Sequence, residues 1–179
     1  GEIFYAVYPA SAAVSTKVTN DVVEFTTTGQ DGSFAKANIC VAKENNGILS
    51  FKNATAIVKL TNAKTVGVQY IDIKPTTGYM FGTCSADLSS AIAVSAPSKG
   101  NNYSFGTNYD VDSKVNKSDV PVFSNDAYYL AVPYGLEYSI VAEAYGFNGG
   151  LNKILSVTDL SKKNPLTPER NIIYTCAFN

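Results

Sequence analysis

The stretch ILSFKNATAIVKLTN, residues 48–62, decides the fold class. Ala54, Ala56, Val58 and Leu60 recur at every second position, with Thr55, Lys59 and Thr61 between them. Side chains of a strand alternate between the two faces of its sheet, so this period of two predicts a strand with one face in a core and the other toward water. Ile57 is the one residue that breaks the sorting. Upstream, residues 3–8 read as a strand stopped by Pro9, residues 22–28 as a second strand ended by the Gly-Gln-Asp-Gly turn at 29–32, and residues 39–42 as a short strand ended by KENNG. Downstream come runs at 66–75, 80–88, 91–96, 127–132, 138–145 and 154–157. Pro133 to Gly135 (PYG) reads as a hairpin between two of them, and Gly146 to Gly150 (GFNGG) as the next turn. The last run, RNIIYTCAFN, places Ile172, Tyr174, Cys176 and Phe178 on one face and Ile173, Thr175 and Ala177 on the other, the pattern of a strand buried on both sides. Short strands at intervals of roughly 8–12 residues, with almost no helical periodicity, predict an all-β sandwich or barrel.

Composition agrees. The chain has 179 residues, 45% of them apolar and 12% aromatic, and only 16% are charged. A chain of this length buries roughly 70% of its unfolded surface on folding and needs no metal or disulfide to do so. Thirteen Lys, one Arg and fifteen acids give a net charge of −1, so no basic field is available to neutralise a phosphate backbone, and nucleic acid is not an expected partner. There is no His. Ser/His and Cys/His nucleophilic pairs and imidazole metal sites are therefore excluded.

The remaining motifs read as structure. Cys40, Cys84 and Cys176 are too far apart for a zinc knuckle or a redox pair, and they read as small apolar strand residues. The segment at 110–121 has the spaced acids of a calcium loop, Asp110, Asp112 and Asp119. It lacks the central Gly and carries Pro121 where the closing Glu is required, so a solvated loop is the better reading. Glu24, Asp72, Glu137 and Glu143 could supply a glycosidase pair only if folding brought two together. No cofactor, metal site or catalytic residue is expected, and the chain reads as a non-enzyme. The polar segment at 98–119 is the best candidate for an exposed binding loop, with Tyr103, Phe105 and Tyr109 as faces on which a glycan or a partner surface could stack. The Asn53, Asn102 and Asn116 triplets of N-x-S/T type are common enough in this composition to arise by chance.

Six segments in order resemble a known family: FYAVYPAS at 4–11, VAK at 41–43, FKNATAIVKLT at 51–61, FGTCSADL at 81–88, YYLAVPYG at 128–135 and PLTPERNIIYTCAF at 165–178. Together they are similar to the fimbrillins, the subunits and accessory proteins of type V pili of Bacteroidales. The resemblance implies a Greek-key β-sandwich of transthyretin-like type, usually two in tandem. It also implies export as a lipoprotein to the cell surface, placement on the outer membrane and in the fimbrium through a lipid anchor upstream of Gly1, and no catalysis. Assembly in that family proceeds by strand exchange between pilus subunits: an N-terminal strand is removed and the apolar groove takes a strand from the next subunit. The strands read within residues 47–179 suffice for a complete C-terminal sandwich, with 1–46 expected as a remnant or first strands of an N-terminal β-domain, or else as the first strands of the same sandwich. Phe51, Ala56, Val58, Leu60, Ile172, Tyr174, Cys176 and Phe178 are expected to line the core or an assembly groove. A host protein or glycan would be a further partner, and a carbohydrate-binding module using the aromatic loop is the competing expectation.

Overall fold

The computed structural model of the chain describes residues 2–14, 18–61, 68–75, 79–97, 100–101, 127–133, 140–148, 151–156 and 168–177. In chain order the strands are β1 (Tyr5–Tyr8), β2 (Val22–Thr26), β3 (Cys40–Asn45), β4 (Ile48–Leu49), β5 (Lys52–Asn53), β6 (Ala56–Thr61), β7 (Val68–Pro75), β8 (Phe81–Asp87), β9 (Ala93–Ser95), β10 (Gly100–Asn101), β11 (Ala127–Val132), β12 (Ile140–Asn148), β13 (Leu151–Ser156) and β14 (Ile173–Ala177). Among the described residues the only helical pieces are α1 (Phe34–Ala37), capped by Ser33, whose hydroxyl accepts from the Lys36 N–H, and a 3-10 turn at Ala10–Ala12. The protein is all-β, as its alternation predicts.

The first sheet has the order β1-β3-β4, with β5 also on β3, all antiparallel. Asn45 pairs with Ile48, which leaves Asn46 and Gly47 as a two-residue loop, both at positive φ (52° and 77°). Asn-Gly is the sequence such a loop selects, because Gly has no Cβ to clash there and Asn tolerates the left-handed region. The pairs Glu44–Leu49 and Val41–Lys52 keep one register, so β4 and β5 are a single returning arm interrupted at Ser50 and Phe51.

The second sheet has β8 between β2 on one side and β9 and β10 on the other. Val23 lies opposite Ala86 and Phe25 opposite Cys84, all four buried, while Glu24 between them is exposed. Side chains of both sheets meet in one cluster: Val41, Tyr5 and Val7 from the first, Val23, Phe25, Cys84, Ala86 and Val94 from the second, joined by Ile39, Ala54, Leu88 and Ala131. Pairing runs across the 46/47 boundary expected from sequence. β3 bonds β5, β2 bonds β8, and the core mixes residues from before and after it, so residues 1–46 supply strands to the same sheets as the rest.

The third sheet is β11-β6-β14. The alternating end of the quoted segment, β6, is therefore a central strand, and its far side is covered more than alternation implies: Ile57 (4% exposed) lies opposite the fully buried Ala131, and Thr55, just ahead of the strand, is buried too. That face opens at Lys59, whose ammonium sits 5.7 Å from the Tyr129 ring centre, and at Thr61. The expectation of a half-exposed strand is corrected accordingly. The closing strand also differs from expectation. β14 runs parallel to β6 at the edge of its sheet, with Ile173 and Thr175 exposed, so it is not buried on both sides.

The fourth sheet is β13-β12-β7, antiparallel throughout. Asn148 pairs directly with Leu151, so β12 and β13 run antiparallel as consecutive neighbours. The hairpin expected across PYG does not form: β11 pairs with β6 and β12 with β7 and β13, in different sheets.

Candidate functional site

β1 is an edge strand of four residues that fills the core with every second side chain. Tyr5 and Val7 pack against the buried cluster, whereas Phe4 and Tyr8 are exposed. Alternation produces this directly, and Pro9 ends the strand because it has no N–H to continue the ladder. Beyond its apolar plugs, β1 is tied by a polar latch. The Tyr5 hydroxyl donates to Asp21 Oδ1, and Lys43 Nζ, on the residue opposite Tyr5, lies 2.9 Å from the same oxygen. Asp21 sits at positive φ (63°) just ahead of β2, and its carbonyl accepts from the Leu88 N–H. The hydrogen bond from Tyr5, then that from Lys43, hold the Asp21 carboxyl below its ordinary range, and the same bond pushes the Tyr5 hydroxyl up. One carboxylate thus joins β1, β3 and the start of β2.

Beside this latch lies an open cleft of about 690 Å³. Ile3, Val41, Lys43, Ser50, Lys52 and Leu88 are among the residues that line it. It forms where the returning arm loses its bridges at Ser50 and Phe51. Such a volume suits a chain segment or a small amphipathic group.

The two thiols among the described side chains offer little chemistry. Burial pushes Cys84 up to about 12 and raises Cys40, whose Sγ–H donates to Asn53 Oδ1 at 3.2 Å, so neither supplies a thiolate near neutrality. Among the described residues no three Cys, Asp or Glu side chains converge as a metal-binding group.

The residues expected to line a core or groove divide. Ala56, Val58 and Leu60 are fully buried in β6. Phe51 is 50% exposed and Ile172 42% exposed, so neither belongs to the buried core. Phe51 sits in the broken arm of the first sheet, and Ile172 precedes the edge strand, its carbonyl accepting from the Ile57 N–H. Tyr174 is half-buried and its hydroxyl accepts from the Glu169 N–H. Cys176 lies opposite Leu60 in the ladder. Phe178, the loop residues Tyr103, Phe105 and Tyr109, and the acids Asp110, Asp112 and Asp119 lie outside the described residues. Sequence reasoning missed Tyr5, Val7, Asp21 and Lys43. The alternation of Tyr5 and Val7 ahead of Pro9 was a usable signal, but nothing local announces that Asp21 meets Lys43.

No protein-family model, no curated protein and no solved structure matches this chain.

Proposed function

We propose that this chain is a non-enzymatic cell-surface protein of fimbrillin type, a pilus subunit or adhesin that assembles by β-strand addition, built as a Greek-key sandwich of transthyretin-like type. It belongs at the outer-membrane surface, held by a lipid anchor upstream, with other subunits as its partners. One observation supports the reading above the others: β1 is a short edge strand held by four ladder positions, two alternate side chains and one latch. Removing it would bare the backbone edge of β3 and two apolar sockets, the features a donor strand needs, since backbone bonds give affinity and alternate side chains give fit.

The test uses the full chain with a protease site inserted between β1 and β2. After cleavage, a labelled peptide of residues 1–8 is expected to replace the resident strand, read by fluorescence anisotropy, and the peptide carrying Val7→Asp to bind at least roughly tenfold more weakly, about 1.4 kcal/mol. Cleaved, folded protein that never takes up the peptide would exclude the reading.

A further inference from the structure

The outer face of the first sheet is apolar where such a face is ordinarily polar. Val41 and its row neighbours pack into the core cluster, and residues of opposite parity lie on the other face, where Cys40 and Ala42 of β3 are themselves covered and the flanking strands carry the exposed apolar groups. On β1 the residues of that parity are Ala6 and Tyr8, preceded by Phe4, whose carbonyl accepts from the Glu44 N–H at 2.8 Å and so extends the register. On the returning arm they are Leu49, opposite Glu44, and Phe51, which the unbroken register places across from Ala42. Phe4 is 60% exposed, Phe51 50%, Tyr8 46% and Leu49 41%. One charge stands among them, Glu44, and it is already engaged: Oε1 accepts from the Gly47 N–H at 2.8 Å and Oε2 from the Phe4 N–H at 3.3 Å.

From these observations we infer that a second copy of this chain docks here, face to face about a two-fold axis. With aromatic side chains of roughly 200 Å² each, the four exposed residues present on the order of 400 Å², within the range of the largest single patch on ordinary monomers, a patch that is often functional. Two such faces remove about 800 Å² of apolar surface. With their rims they reach the roughly 1,000 Å² at which a specific contact begins, the size of a weak dimer. The occupant is an identical face because, among its described residues, this one offers no free ammonium or carboxylate to select a charged partner, and an isologous contact opposes like with like, using each residue twice. The contact leaves β1 in place and does not rest on strand exchange.

Sedimentation velocity of the intact chain across micromolar to millimolar concentration tests it. The expected result is a dimer with Kd of roughly 1–100 µM, weakened more than about tenfold by Phe51→Asp and by Leu49→Asp, both exposed and so compatible with a native circular-dichroism spectrum, and unchanged by Glu24→Lys on the second sheet. A chain that stays monomeric throughout, or a dimer indifferent to both substitutions, overturns the inference. So does Phe51-dependent flotation with phosphatidylcholine vesicles by a protein monomeric in solution, which would assign the face to a lipid surface.

Discussion

Phe25 and Phe51 are the same side chain with opposite surroundings. Phe25 is fully buried in β2, opposite Cys84, and Phe51 is half exposed where the arm of the first sheet breaks. Removing a buried ring costs its transfer energy and leaves a cavity, so Phe25→Ala is expected to lose about 3–5 kcal/mol. Phe51→Ala should stay within about 0.5 kcal/mol. Urea denaturation of the two variants measures both, and equal losses would mean that the face bearing Phe51 is covered in the free protein. Sequence alone groups Phe51 with Ala56, Val58 and Leu60, yet of these four only Phe51 is exposed. It precedes a run of correct alternation, but β5 belongs to the first sheet and β6 to the third, and the chain changes sheets at Ala54 and Thr55. Parity carries no information across such a crossing, whereas Ala56, Val58 and Leu60, all within one strand, were legible.

At the scale of elements, local signals were reliable and non-local ones were not. The Asn46–Gly47 loop fixes the β3–β4 hairpin by backbone conformation alone. A Cβ at Gly47 would meet no atom within 4 Å, so Gly47→Ala tests the positive φ without any steric confusion. A loss of about 1 kcal/mol is expected, the ordinary cost of placing an L side chain in the left-handed region. A thermal shift near zero would show that the loop relaxes to another turn type at no cost. By contrast, PYG resembles a hairpin connection, yet β11 finds β6 and β12 finds β7. Those pairings depend on which faces bury most apolar surface together, a property of distant segments that no turn motif encodes. The parallel placement of β14 is of the same kind: it is fixed by contacts such as Asn171 N–H to the Thr55 carbonyl and the Asn171 side chain accepting from Asn53, both remote in sequence.

The absence of histidine shapes how the whole molecule responds to pH. With no imidazole, no side chain has an unperturbed value between the carboxylates and the thiols, so stability is expected to be flat between about pH 5 and 7. On the acid side the described aspartates act together. For Asp31, burial opposes ionisation, but hydrogen bonds from the Ser33 hydroxyl, the Lys36 ammonium at 2.9 Å and the Ser33 N–H outweigh it and hold the carboxyl at about 2. Asp21 is lowered by Tyr5 and Lys43, and Asp87 by the Ser89 hydroxyl and N–H. A carboxylate with a folded value below its unfolded one stabilises the fold above the unfolded value and loses that contribution as pH falls toward the folded value. For Asp31 the window therefore runs from 3.8 down to about 2. Urea midpoints should hold steady from pH 7 to pH 5 and then drop, and Asp31→Asn should make the drop shallower because it removes one of the protons taken up on unfolding. A midpoint that already falls between pH 7 and 5 would place a strongly shifted group in the fold. An acid limb equally steep in Asp31→Asn would show that the Ser33 and Lys36 contacts do not distinguish the ionised carboxyl in solution.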